Sequence, residues 1–463
     1  MLDILVVLAA LSLLMLAAYR GYSVILFAPL CALLGVLLTD PGAVLPMFSG
    51  VFMESLVGFV KLYFPVFVLG AIFGKVIELS GFSRAIVGAV IQMVGKQRAI
   101  LSIVLVCALL TYGGVSLFVV VFAVYPFAAE MFRQGDIPKR LIPATIALGA
   151  FTFTMTAMPG SPQIQNIIPT SFFGTTTWAA PVLGLLGSVF IVVLGILYLE
   201  ARRRSAAAAG EGYGAGHRNE PEAIDRAGLP HPLLAVSPLF VVGLLNWLFT
   251  QLIPRYFGSA VTIDVSGTPL TVQVTPLAAI WAVEGALLAG ILWVMLFAFR
   301  PVAARFAEGS TSAVGGALLA SLNTASEYGF GAVIAALPGF GAVTGLLKHI
   351  PDPLLNEAVS VSALAGITGS ASGGMSIALA ALSDSFIAAA NGAGIPLEVL
   401  HRVASMASGG LDTLPHNGAV ITLLAVTGLT HKQAYRDIFI VTVLIGTSAV
   451  LVAIGAYYLF GLV

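Results

Sequence analysis

The chain has 463 residues, of which 59% are hydrophobic and only 9% charged, with a mean hydropathy of +1.03. Soluble domains carry about 25% charged residues, so a soluble enzyme or binding module is excluded and an all-α polytopic membrane protein is expected. Twenty-one basic residues cancel 21 acidic ones, which leaves no argument for nucleic acid or for a strongly acidic partner.

Residues 2–19 form an apolar run with no basic leader and no small-residue cleavage site, so they read as a retained first span. Further runs of about 20 residues, the length a bilayer requires, fall near 22–38, 62–80, 140–170, 178–199, 231–253, 276–299, 313–347, 397–428 and 435–460. Cys31 and Cys107 lie inside apolar stretches and read as small core residues, not as a disulfide or metal pair. Residues 43–60 and 301–320 read as interfacial amphipathic helices, the arms between a fixed and a moving part. Regions 97–132 and 354–391 are also apolar but are split by Gly-Gly-x-Ser. Each half is too short to span, which predicts re-entrant hairpins with tips at Gly113-Gly114 and Gly373-Gly374. Residues 200–230 read as a flexible cytoplasmic linker. Residues 257–275 alternate around Ser266-Gly267 and predict a short β-hairpin in an external loop.

The plan of the first half returns in the second. Gly113-Gly114, Ile137-Pro138 and Thr156–Pro159 are answered by Gly373-Gly374, Ile395-Pro396 and Thr413–Pro415, and Leu79–Phe82 by Leu337–Phe340. The steps are 24 and 22 residues (137−113, 395−373), then 19 and 18 (156−137, 413−395). A repeat of this size is a statement about fold. Basic residues tend to face the cytoplasm. Arg20, Arg84, Lys96, Arg98, Arg133, Lys139, Arg140 and Arg202–Arg204 share one side if the N-terminus is outside and 97–132 re-enters. Arg300, Arg305, Lys432 and Arg436 then fall inside, and Lys348, His401 and Arg402 outside. The second hairpin thus enters from the other face. This predicts two inverted repeats, 1–199 and 231–463, with both termini outside and a site at the pseudo-twofold axis.

Pro159 and Pro415 each break a long helix, and the broken turns are polar. Thr154, Thr156, Gly160, Ser161, Gln163, Gln165 and Asn166 lie in the first; Asp412, Thr413, His416 and Asn417 lie in the second. The hairpin tips add Tyr112, Gly113, Gly114, Ser116, Thr368, Ser370, Ser372, Gly373, Gly374 and Ser376. These groups either satisfy freed backbone or form a substrate site. Neither breaks nor tips contain Lys or Arg, so an anion would be held by helix dipoles, amides and hydroxyls. That suits one carboxylate with neighbouring hydroxyls and suits a tricarboxylate poorly. Intramembrane ionisable groups default to function, which nominates Asp412, His416 and Glu327 for proton coupling. Glu284 and Glu54 rank behind them, and Asp384 reads as a solvated residue near the outer mouth. No metal site or cofactor motif is present in the sequence.

Phe151–Asn166, Ser408–Ala419 and Leu322–Phe330 resemble the signature stretches of the gluconate:proton symporter (GntP) family. The resemblance implies carriage of gluconate, another sugar acid, a glycerate-like acid or β-hydroxybutyrate, usually with protons. It also implies the ion transporter superfamily fold: a dimeric scaffold, an elevator-like moving domain and the inner membrane of a bacterium. Sodium coupling and an anion channel are the alternatives. A membrane enzyme is the weakest, because no nucleophile–base pair or metal-spaced His/Cys cluster appears.

Overall fold

The computed structural model describes residues 2–20, 22–95, 98–221, 229–340, 350–415 and 417–463. His416, Lys96 and Lys348 therefore lie outside the described residues. Among those described, six helices are long and apolar enough to cross a membrane. They belong to a mostly helical fold.

Helices α1 (Leu2–Tyr19) and α2 (Val24–Thr39) form an antiparallel pair. Leu26, Leu30, Leu34 and Leu37 are exposed on α2, whereas Ala28, Cys31, Ala32 and Gly35 are buried. The leucines form the lipid face, and the small residues let α2 approach its neighbour closely. After α2 the chain passes through a turn capped by Asp40, whose Oδ1 accepts from Gly42 N–H at 3.1 Å. It then enters a π-helical run, Met47–Phe52, and α3 (Met53–Leu79). Pro41–Leu79 is one rod of 39 residues. The separate interfacial helix expected at 43–60 is therefore absent, because no capping residue ends the helix between Met47 and Leu79. The same holds for 301–320: α12 (Ala278–Ala303) ends at Ala303, Arg305 is the N-cap residue of the next helix, and that helix, α13 (Phe306–Ala336), runs on unbroken for 31 residues.

The remaining helices of the first half are α4 (Phe82–Val94), α5 (Ala99–Tyr112), α6 (Leu117–Gln134), α7 (Ile142–Ala150), α8 (Phe153–Thr156), α9 (Ile164–Phe173) and α10 (Pro181–Ala208). Then come α11 (Pro232–Phe257) and a hairpin of β1 (Ala260–Val265) and β2 (Thr268–Gln273). The strands pair antiparallel with Val265 opposite Thr268. Ser266 (φ 55) and Gly267 (φ 82) form the two-residue turn, as the alternation predicts. After α13 come α14 (Pro353–Thr368), α15 (Ala371–Ala393), α16 (Leu397–Ser408), a 3-10 turn Leu411–Thr413, α17 (Gly418–Thr427), α18 (His431–Phe439) and α19 (Ile445–Phe460).

Long α3 packs along long α13, and α10 along α19. Helix α6 packs on α17, and α15 packs on α9. A large core joins α3–α10 to α14–α19, while α1 and α2 make a smaller one with the second half of α13.

In the first helix–turn–helix pair the turn lies at Gly113-Gly114, with Gly114 at φ +96, a conformation that favours glycine. The second pair differs from expectation. Its turn lies at Gly369-Ser370, with Gly369 at φ +64, and Gly373-Gly374 falls inside the first turn of α15. Ser370 explains the shift. Its Oγ accepts from Gly373 N–H at 3.0 Å and starts the helix early. Gly373-Gly374 serves close packing instead, since a Cβ on Gly374 would lie 2.2 Å from the Ala365 backbone.

The flexible linker expected at 200–230 is also revised. Helix α10 continues to Ala208, and residues 209–221 are tied down as a strap. Arg140 holds Glu211 at 2.6 Å, Lys139 holds Glu220 at 2.9 Å and Arg133 also holds Glu220, at 2.5 Å. Tyr213 N–H donates to Asp136 Oδ1 at 2.9 Å, and Asn219 Nδ2 donates to Ala425 O at 2.8 Å. Alanines 206–209 are strong helix formers, and the two glutamates find three basic partners.

Candidate functional site

Two interrupted helices meet at the centre of the fold. In the first, α7 ends at Ala150, α8 makes one turn to Thr156, and α9 restarts at Ile164, with Pro159 between. In the second, α16 ends at Ser408 and α17 restarts at Gly418, with Pro415 between. An interruption strands backbone donors and acceptors, and the local polar side chains collect them. Thr154 Oγ1 donates to Gly149 O (2.9 Å), Ser161 Oγ to Thr154 O (2.7 Å), and Asn166 Nδ2 to Ser161 O (2.9 Å) and Thr177 O (2.8 Å). In the second break Asp412 Oδ1 accepts from Gly410 N–H (2.8 Å), and Thr413 Oγ1 donates to Gly410 O (2.7 Å).

The breaks touch each other. A Cβ on Gly409 would lie 2.9 Å from Thr156 Cγ2, and Ser405 Oγ donates to Thr156 O at 2.8 Å. Between them is a cavity of about 10 Å³ lined by Thr152, Thr156, Gly409, Gly410 and Thr442. That is far smaller than a sugar acid, so a substrate entering there must part the two breaks.

Each break also holds the hairpin turn beside it, by the same device. Gln163, the N-cap residue of α9, donates Nε2–H to Thr111 O at 2.6 Å. Asn417, the N-cap residue of α17, donates Nδ2–H to Gly369 O at 2.9 Å, while its Oδ1 accepts from Val420 N–H. Tyr112 OH adds a bond to Pro159 O at 2.9 Å. The four sequence-nominated stretches thus form one chain: turn, break, break, turn.

Other nominated residues have local tasks. Ser116 precedes α6 without a side-chain cap bond, Thr368 Oγ1 donates to Leu364 O at 3.0 Å, and Ser372 faces Thr324 at 3.4 Å. Gly113 packs on Leu239, and Gly160 (φ +75) on Trp178. Asp384 is exposed. Several buried groups make no hydrogen bond: Thr111 Oγ1, Gln165 Oε1, Ser376 Oγ and Glu327 Oε2. A Cβ on Gly373 would lie 1.7 Å from Glu327 Oε2, so the Glu327 carboxylate lies against the first turn of α15.

Sequence reasoning missed His401, Arg402 and Glu357. The first two were expected at the outer boundary; both are 0% exposed. Arg402 donates Nη2–H and Nε–H to Ala179 O (2.8 and 3.1 Å) and Nη1–H to Asn166 Oδ1 (3.1 Å) and Thr156 O (3.4 Å). No acidic group among the described residues lies within salt-bridge distance of it. His401 joins the cluster through its Nε2, 3.3 Å from Asn166 Oδ1, and its Nδ1 lies 2.6 Å from Thr175 Oγ1. The breaks themselves hold no Arg, but α16, which leads into the second break, supplies one. Glu357 is 0% exposed and neither carboxylate oxygen has a hydrogen-bond partner. The available signal was depth: Arg402 lies in a predicted span and Glu357 in a predicted hairpin.

No family model matches the chain. A Bacillus subtilis (strain 168) protein described as the uncharacterized transporter YxjC is 58% identical over 474 residues, covering 100% of both chains. The chain belongs to the YxjC transporter family. It is a multi-pass membrane transporter. Among solved structures, the Alcanivorax borkumensis YdaH transporter, described as having an unusual topology, superposes with a TM-score of 0.54. The match spans 92% of this chain and 90% of that one at 14% identity. That likeness concerns the fold alone.

Proposed function

We propose that this transporter carries a small hydroxy-monocarboxylate, gluconate or a related sugar acid, together with protons. The observation that carries the reading is Arg402: a fully buried guanidinium at the junction of the two breaks, bonded to carbonyls and an amide. A buried charge without a counter-charge is costly. A carboxylate arriving at the breaks supplies the missing charge, and one cation suits one carboxylate. Hydroxyl and amide groups of the breaks and turns suit the hydroxyls of a sugar acid. The resemblance of Phe151–Asn166 and Ser408–Ala419 to gluconate:proton symporters points the same way.

Of the three expected proton carriers, Glu327 is favoured. Its carboxylate is buried, has an oxygen without a partner and abuts the start of α15. It can exchange a proton when that helix moves. Asp412 already accepts a backbone amide, and His416 lies outside the described residues. Two inverted repeats, re-entrant hairpins and an elevator-like motion in a homodimer complete the proposal. The clustering of Arg133, Lys139 and Arg140 on the strap supports a cytoplasmic strap. The test is a thermal-shift screen of the purified protein against sugar acids, hydroxybutyrates, lactate and citrate. Stabilisation by hydroxy-monocarboxylates is expected; stabilisation by citrate alone contradicts the proposal.

A further inference from the structure

A larger cavity, of about 390 Å³, opens at a place that none of the breaks or turns reaches. It lies between the end of α3, the start of α4, the middle of α6 and the junction of α12 and α13. Its walls divide by chemistry. Phe122, Ala123, Pro126 and Phe127 of α6 make an apolar wall, and Phe122 is 61% exposed. Opposite stand Arg84 and Arg305, neither of which has an acidic partner within salt-bridge distance among the described residues. The carboxylate of Glu78 also lines the cavity, but it is already paired with Lys75 at 2.8 Å. Two positive charges are left facing one cleft.

The depth of the cleft restricts its occupant. Spanning helices α3 and α12 end at Leu79 and Ala303, beside Arg84 and Arg305. The arginines therefore sit where hydrocarbon gives way to headgroups, and the Phe122 wall runs from there along α6. A soluble anion would satisfy the guanidiniums and leave that wall against water. An amphiphile satisfies both. We propose that the cleft binds an anionic phospholipid, with its phosphate on Arg84 and Arg305 and an acyl chain along Phe122 and Pro126. Basic pockets between helices on the cytoplasmic side are suited to anionic headgroups. A lipid seated here touches both the first hairpin and the long helices α3 and α13, and so couples the lipid composition to their relative movement.

The experiment is native mass spectrometry of the full-length protein in detergent. Phosphatidylglycerol is titrated against phosphatidylcholine with the same acyl chains, with glycerol phosphate and gluconate as soluble arms. Preferential phosphatidylglycerol binding is expected. It should weaken roughly five-fold for each of Arg84→Gln and Arg305→Gln, and on the order of twenty-five-fold for the double variant, from about 1 kcal/mol per basic residue near an anionic surface. The double variant Arg84→Lys with Arg305→Lys should retain binding, which separates loss of charge from loss of fold, and Phe122→Ser should weaken phosphatidylglycerol binding through loss of the apolar wall. Equal binding of the two lipids, or an unchanged double Gln variant, overturns the proposal. Displacement of phosphatidylglycerol by gluconate or glycerol phosphate also overturns it, and assigns the cleft to a soluble anion.

Discussion

At the scale of single residues, Arg402 and Glu327 carry the account. Arg402 donates to four different acceptor residues in the first break and its flank, Ala179, Asn166, Thr156 and Thr177, and hydrogen bonds to a charged group contribute about 1.5–3 kcal/mol each. Arg402→Gln should lower the melting temperature in detergent and, separately, abolish the stabilisation that a bound hydroxy-acid gives the parent. If the melting temperature falls but the ligand-induced shift persists, Arg402 is a structural clamp only. Gly373→Ala tests the other residue. The new methyl would overlap the Glu327 carboxylate, and overpacking of this kind costs about 1–3 kcal/mol. Transport should fall more steeply than stability; a fall in stability alone, read by chemical denaturation beside uptake, would exclude a role for that contact in the cycle. Sequence alone pointed to Glu327 because an acid in a membrane span is conspicuous. Arg402 was misplaced because burial depth, unlike polarity, depends on which helices pack around α16.

At the scale of elements, the breaks and turns were readable where chain chemistry is local. Proline forces the interruptions, glycine and serine force the turns, and alternation with Ser266-Gly267 forces the β-hairpin. The second hairpin turn was displaced to Gly369-Ser370 because a serine cap and a glycine pair compete for the same turn, and the cap wins. The long rods α3 and α13 were divided in the sequence reading because polar residues suggested an interface, whereas helix continuity depends on the absence of a stop. The paired amides give a quantitative expectation. Gln163 and Asn417 hold different turns, so Gln163→Ala and Asn417→Ala should destabilise independently, adding within about 0.3–0.5 kcal/mol. Asn417→Ala should cost more, about 1–2 kcal/mol, because it also removes the cap on Val420. A strongly non-additive double variant in denaturant titration would mean that the two halves share one opening event.

At the scale of the whole molecule, the strap 209–221 spans from α10 across the ends of α6 and α17. Arg140 holds the Glu211 carboxyl below its ordinary range. Burial raises that of Glu220, but hydrogen bonds from Lys139, Arg133 and Tyr213 outweigh it and the net shift is downward. A carboxyl whose value is lowered by folding stabilises the docked form above the ordinary glutamate range, near pH 4.3, and loses that contribution as the pH falls through its lowered value. The protection factors of amides across 209–221, each taken relative to the intrinsic exchange rate at the same pH, should therefore be high at neutral pH and fall on acidification or in high salt; low protection at neutral pH would mean that the strap is not docked. None of this was visible in composition, since a polar, alanine- and glycine-rich stretch reads as loose until its partners are placed.

The proposed function has an organic anion coupled to protons through a site built where two broken helices meet. The most direct measurement is accumulation of labelled gluconate in proteoliposomes, driven by a pH jump in sodium-free buffer, for the parent and for Glu327→Gln. The parent should concentrate the label, whereas Glu327→Gln should lose concentration while still exchanging internal for external gluconate. Accumulation by Glu327→Gln at the parent rate, or by the parent only when sodium is added, would contradict it.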